Sequence, residues 1–259
     1  MKTILKPLLI ALPFLLASCT STKTIQKYFD SNSHSMAYLM ESPVADSKLD
    51  VALTIDSVKM ALDVMPKKSL VEKKSGYFIP LVFVYTWKSE HKCTQGESLM
   101  SENITDFFRQ AVADQVERAG KFSIDTLNRS DYHLSFSIDE IGATGPYISN
   151  GFAYFVLYVY GYSVSEVAGP AMASLKVSYV LKKADQVVMQ NTLSAQRATD
   201  PISQHSSNTK QLIRDYGISM VEATSFNFRD IVGQVVSEIN AYFSGIPETN
   251  LNLTAETKN

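Results

Sequence analysis

The chain of 259 residues is poor in cysteine, with two, and in tryptophan, with one. Two cysteines exclude a disulfide-stapled scaffold. Charge of neither sign dominates: 24 Lys and Arg stand against 26 Asp and Glu, a formal net charge of −2. Without a basic face, nucleic acid is not an expected partner. Histidine is also scarce, with four. His34, His91, His133 and His205 fall in different segments, and no two share metal-ligand spacing on a helix. Gly-x-Ser-x-Gly is missing, no Ser-x-x-Lys comes with supporting motifs, and Gly142, Gly145 and Gly151 are not followed by the Lys-Ser or Lys-Thr of a phosphate loop. These absences predict a chain that is not an enzyme, holds no metal and needs no cofactor. A hydrolase would require His133 or His205 beside a Ser or Asp in a cleft. Asp139 and Glu140, at the end of a predicted strand, read as a solvated acidic pair.

What is present begins at the N-terminus. Lys2 and Lys6 precede an apolar run from Leu8 to Leu16, broken only by Pro13. The run is far short of the roughly 20 residues of a spanning helix. Leu16-Ala17-Ser18-Cys19 follows. A charged start, a short apolar stretch and small residues before a cut predict a signal peptide over residues 1–18. The last four residues resemble the lipobox of bacterial lipoproteins. That resemblance implies cleavage before Cys19, acylation of its sulfur (palmitate being a typical chain) and usually of the new amine. Thr20 stands where an Asp would imply inner-membrane retention, so the outer membrane is implied. Ser21-Thr22-Lys23-Thr24 carries none of the acidic residues of surface-exported lipoproteins, which implies the periplasmic face.

Residues 19–48 are rich in Ser, Thr, Asp and Asn and read as a flexible tether. Tyr38, Leu39 and Met40 are its candidates for docking. A single domain is predicted over 49–245. Leu49, Val51, Leu53 and Ile55 alternate with polar or small residues, a strand with one buried face, and Val58 to Val64 extend the pattern. Leu81 to Trp87 reads as a second, largely buried strand. Lys88 to Glu97 reads as a polar loop. It holds His91 and Cys93, too few ligands for a metal, and Cys93 is expected to be buried. Ile104, Phe107, Phe108, Ala111, Val112, Gln115, Val116 and Ala119 fall at helical spacing, with a cap near Ser101 and a stop at Gly120. A short strand from Phe122 to Leu127 and an alternating one from Tyr132 to Ile138 follow. Ala173–Leu181 and Val187–Ala195 form a predicted hairpin. Residues 199–211 read as loop, Glu222 to Phe243 as a closing helix, and 246–259 as a disordered tail. The fold class is therefore α/β, a mixed sheet with helices packed on one face.

Residues 145–170 are the unusual part. Six of the residues from Phe152 to Tyr162 are Phe or Tyr. Periodicity alone does not separate strand from helix here, and Gly169-Pro170 as a stop favours a helix, unbroken or broken at Gly161. Tyrosine joins an apolar body to a polar tip, which suits interfaces and wet membrane boundaries. Phe152, Tyr154, Phe155, Tyr158, Tyr160 and Tyr162 are thus the candidate binding residues, for a partner protein, a lipid tail or the membrane itself. The competing reading makes the insert a core segment covering the sheet.

The helix ending Glu117-Arg118-Ala119-Gly120-Lys121-Phe122, the short strand after it, and Ser130-Asp131-Tyr132-His133-Leu134 opening the next strand form a pattern. With the later hairpin and closing helix, residues 100–243 resemble the small α/β accessory lipoproteins of Gram-negative envelopes, including those of transport systems, curli secretion and peptidoglycan-synthase activation. The resemblance implies a non-catalytic accessory component of an envelope transport or assembly complex, working by protein–protein contact, with an envelope protein and the membrane as partners. It carries over no functional residue. A lipoprotein binding a small apolar or lipidic ligand is the second expectation and would need a cavity between sheet and insert. Self-association stays open.

Overall fold

The computed structural model describes residues 43–61, 82–95, 100, 101, 103–127, 129–156, 159–204 and 208–245, together with 25, 27, 28, 32 and 34–37. Among them, eight strands form one mixed sheet with two helices. The strands are β1 (Ala52–Met60), β2 (Val82–Thr94), β3 (Ser123–Ile124), β4 (Tyr132–Val156), β5 (Val159–Ala168), β6 (Met172–Lys183), β7 (Gln186–Ala198) and β8 (Ile202–Gln204). The helices are α1 (Ile104–Ala119) and α2 (Thr209–Phe243). The predicted α/β class holds, with core side chains of both helices meeting those of the sheet.

The sheet is organised around β4, a strand of 25 residues. One of its edges takes β1 in parallel at residues 133–138 and β2 antiparallel at 144–156. The other edge takes β6 at 132–144 and β5 at 147–156, both antiparallel. β3 extends the sheet beyond β1, β7 beyond β6, and β8 beyond β5. Leu134, Phe136 and Ile138 point to the core, and so do Ile141, Ala143 and Tyr147. Side chains alternate faces along a strand, so even positions cannot give way to odd ones without an extra residue. The register shift between Ile138 and Glu140 supplies it. Asp139 is the bulged residue, and its carboxylate accepts from Ser137 Oγ at 2.8 Å and from Ser178 Oγ.

Aromatic edges join the layers. Phe108 of α1 meets Phe136 of β4 (centroids 5.0 Å) and Phe228 of α2 (5.8 Å). Phe243, at the end of α2, meets Tyr132 at 5.0 Å and Phe122 at 5.5 Å. Asn103 caps α1, its Oδ1 accepting from Thr105 N–H at 2.9 Å, so the cap falls two residues beyond Ser101.

Four expectations change. Within residues 145–170, 145–156 and 159–168 are strand, not helix: the second half of β4 and all of β5 lie there. The physical reason is ring stacking on glycine. A Cβ on Gly151 would fall 1.7 Å from the Trp87 ring, and one on Gly161 would fall 2.5 Å from the Tyr154 ring. Both glycines are seats for a cross-strand ring. Lys88 to Thr94 are strand as well. Trp87, Ser89, His91 and Cys93 are buried while Lys88, Glu90 and Lys92 are exposed. The closing helix starts at Thr209, with Asn208 as its cap, 13 residues ahead of the expected Glu222. Its buried Thr224 and Ser225 bond to the carbonyls of Met220 and Val221, which hides polar atoms inside the helical register. Lastly, the stretch read as tether is docked at several of its described positions. Ile25 and Met36 are buried, Tyr28 packs on the core, and Ala37 N–H donates to Ser225 Oγ at 3.3 Å. Tyr38, Leu39 and Met40, the expected extension of the first strand over residues 62–64, and the tail 246–259 lie outside the described residues.

This packing has two measurable consequences. Gly151→Val forces the only tryptophan of the chain off its seat. We expect a loss of about 1–3 kcal/mol, typical of overpacking, in denaturant unfolding, with a red shift of Trp87 emission. The second concerns Cys93, whose thiol burial pushes up to about 12 from an ordinary 9.0. Burial also raises the Tyr147 and Tyr216 hydroxyls. Each group keeps its proton in the folded state over a pH range where the unfolded chain has lost it. The stability these groups contribute is therefore complete below about pH 9 and falls as pH rises from about 9 toward 12. In a Cys19→Ser background, thiol titration at about pH 8 should find Cys93 unreactive until the protein is unfolded, and the denaturation midpoint should drop between about pH 8.5 and 10.5.

Candidate functional site

The lengths of the elements decide which part of the sheet α2 leaves uncovered. At about 1.5 Å per residue, the 35 residues of α2 span about 50 Å. Its C-terminal Phe243 sits on Tyr132, at the start of β4. Its N-terminal Thr209 donates to Glu166 of β5 at 2.8 Å, and Glu166 is paired with Ser149. From Tyr132 to Ser149 a strand at about 3.3 Å per residue covers about 56 Å. The helix thus matches the sheet as far as Ser149 and ends there. The ends of β2, β4 and β5 overhang it.

The overhang carries the predicted aromatic residues. Tyr160 is 77% exposed, Tyr162 72%, Val159 61% and Phe152 42%. Tyr154 is half-buried, its ring tilted against Phe152 at 5.7 Å. Tyr158 and the side chain of Phe155 lie outside the described residues, as does Cys19. The aromatics do not share one face. Val156 pairs with Val159, so even positions of β4 stand beside odd positions of β5. Phe152 and Tyr154 share a face with Ser163 and Gly161, whereas Tyr162 shares the other with Ala153. The overhang therefore shows exposed apolar and aromatic side chains on both faces. Because the insert is itself part of the sheet, the space between sheet and insert that the ligand-binding reading called for does not arise.

Behind the overhang, under the start of α2, lies a buried polar group that sequence reasoning missed. His91 and Tyr147 are fully buried, with ring centroids 6.1 Å apart. Glu166 is buried beside them, and further along Thr224 of α2 reaches Gln95 at 2.9 Å. Tyr28 from the N-terminal stretch packs here, with Lys210 Nζ 5.4 Å from its ring. The signal was the alternation of Lys88, Glu90 and Lys92 with uncharged residues. This group ties β2, β4, β5 and α2 together and faces inward.

His133, the histidine considered for hydrolysis, pairs with Asp56 at 2.8 Å. Their side chains are 29% and 39% exposed on the sheet face away from the helices, a cross-strand surface pair. His205 lies outside the described residues. Among the described residues no three His, Cys, Asp or Glu are grouped to hold a metal, and no helix is long and apolar enough to cross a membrane.

The sheet also has an open edge. Among the described residues β7 pairs with β6 alone. Gln186 to Gln196 contain no charged residue and no proline, the usual guards of an edge strand. The strand is braced from the helix side. Asn191 Nδ2 donates to Glu238 at 3.1 Å, Arg197 pairs with Asp230 at 3.1 Å, and the Arg197 guanidinium lies 4.7 Å from the Phe226 ring. Gln190, Ser194 and Gln196 remain accessible.

No family model and no curated protein matches the sequence. Among solved structures, the fold is similar to a protein of Xanthomonas campestris under the family model DUF330, at 12% identity and a TM-score of 0.44, covering 82% of this chain and 98% of that one. It is also similar to a minor lipoprotein from Acinetobacter baumannii (14%, 0.28, covering 55% and 89%) and to a putative neuraminyllactose-binding hemagglutinin homolog from Helicobacter pylori (9%, 0.33, covering 81% and 95%). All three are distant likenesses, and none assigns this chain a role.

Proposed function

We propose that the protein is an envelope lipoprotein, cleaved before Cys19 and acylated there, held in the outer membrane on its periplasmic face. It serves without catalysis as an accessory component of a transport or assembly complex, through protein–protein contact. The lipobox supports the anchor. The observation that carries the contact role is the β7 edge, 13 residues long, uncharged from Gln186 to Gln196 and braced by α2. An open edge offers backbone donors and acceptors to an added strand, with side chains at alternate positions to select it. A braced edge loses less entropy on binding than a mobile one.

Metabolic labelling with palmitate tests the anchor: wild type should be labelled and Cys19→Ala should not. The edge is tested by photo-crosslinking from positions 190 and 194 in cells of the native host. We expect one discrete protein adduct, reduced at least fivefold when Thr192→Lys places a charge on the edge, while the melting temperature stays within a few degrees. Adducts confined to the chain itself, or an adduct insensitive to the edge charge, refute the contact role.

A further inference from the structure

The overhang differs in chemistry from the rest of the surface. Its strands align in six rows, from Val82–Val156–Val159 to Trp87–Gly151–Val164. None of these positions is charged. Charge begins at the next two rows, with Lys88 opposite Asn150 and Glu166 opposite Ser149. Six rows at about 3.4 Å per residue make an uncharged block about 17 Å deep, comparable with one leaflet of a bilayer whose hydrocarbon core is about 30 Å. A protein partner covers one face of a ribbon, but the exposed residues here lie on both: Tyr160 and Tyr162 on one, Val159 and Phe152 on the other. Lipid surrounds what enters it from every side.

The anchor is within reach. Tyr28, at the base of the overhang, lies against Lys210, and Ile25 is buried close by in sequence. Six residue-to-residue steps lead from Cys19 to Ile25, and six steps extend at most about 20–22 Å. The overhang beyond Ser149 is seven residues of β4 long, about 23 Å. The acyl chains and the tip of the sheet can therefore meet the same bilayer surface.

Resting on the lipoprotein reading, we infer that the overhanging end of β2, β4 and β5 is a second membrane contact, entering the headgroup zone of the phospholipid leaflet that holds the acyl chains of Cys19. Depth is limited by the backbone. Among the described residues β2 and β5 leave edges open here, and unpaired backbone groups are too costly for the hydrocarbon core. The rows from Val159 to Tyr162 span about 10 Å, the depth typical of interfacial insertion, and tyrosine belongs at that level.

The test uses the full mature chain with Cys19→Ser, which has no lipid, and vesicles of phosphatidylethanolamine and phosphatidylglycerol. Flotation should show the protein bound to vesicles. Binding should fall at least fivefold in Tyr160→Ser/Tyr162→Ser and also in Phe152→Ser on the opposite face, with melting temperatures held. No flotation of the Cys19→Ser chain overturns the inference, as does a loss confined to one face or a photo-crosslink from position 160 that goes to protein instead of lipid. Palmitate labelling of wild type separates the two readings. Labelling without flotation refutes the second contact and leaves the lipoprotein standing; no labelling refutes the lipoprotein itself.

Discussion

The single inserted residue at Asp139 is the constraint on which the architecture depends. A strand of 25 residues would present one parity of side chains to the helices throughout. Here the first part buries Leu134, Phe136 and Ile138, and the second buries Ile141, Ala143 and Tyr147. Without the bulge, the second set would face water and Gly142 and Thr144 would face α2. Slipping one residue exchanges the faces of everything downstream. The hydroxyls of Ser137 and Ser178 hold the Asp139 carboxylate in place on the outer face, so polar contacts fix the bulge and leave the core side to packing alone. One strand can then serve β1 and β6 at one end and β2 and β5 at the other, with the helices on one side of both.

From that shared strand follows a mismatch of lengths. α2 and the part of β4 from Tyr132 to Ser149 are of similar extent, and Phe243 on Tyr132 fixes the helix at the far end. Among the described residues, what β4 adds beyond Ser149 stands without a helix over it. A three-stranded ribbon that neither described helix covers needs its own packing. It obtains some by laying Trp87 over Gly151 on the helix-side face and Tyr154 over Gly161 on the opposite face. The N-terminal stretch closes the junction, with Ile25 buried and Tyr28 against Lys210.

The body of the fold was legible in the sequence because its signals are local and periodic. α1 shows its stripe from Ile104 to Ala119, and β6 and β7 alternate on either side of a short polar turn. The rest was hidden for identifiable reasons. In Lys88–Thr94 the buried positions are Ser89, His91 and Cys93, polar or small, so burial does not announce itself as hydrophobicity. In α2 the buried Thr224, Ser225 and Asn227 interrupt the apolar stripe. Thr224 and Ser225 find partners in Gln95 and Ala37, far along the chain, and nothing local foretells them. In 145–170 glycine signalled a break, while its role is to receive a ring from the neighbouring strand. Of the candidate site, the aromatic residues were legible by composition. Their division between two faces depends on Val156 pairing with Val159, and the β7 edge depends on which strands lie beside it. Neither is written in a local pattern.

A weak contact becomes effective when it is tethered. Tyr160, Tyr162, Val159 and Phe152 each leave only part of their surface in water, and a shallow insertion of four side chains gives a modest affinity for vesicles. Were Cys19 acylated as proposed, an anchor within about 22 Å would convert that contact into an intramolecular one, at an effective concentration in the millimolar range. Two attachment points would also remove a freedom that a lipid tether alone leaves: the body could no longer tumble about its anchor. Since β7 runs beside β6, and β6 beside the first half of β4, a tip fixed in the headgroups as inferred would set the open edge upright and away from the membrane. Orientation of that edge would then follow from the fold, set by the overhang, and be independent of any partner.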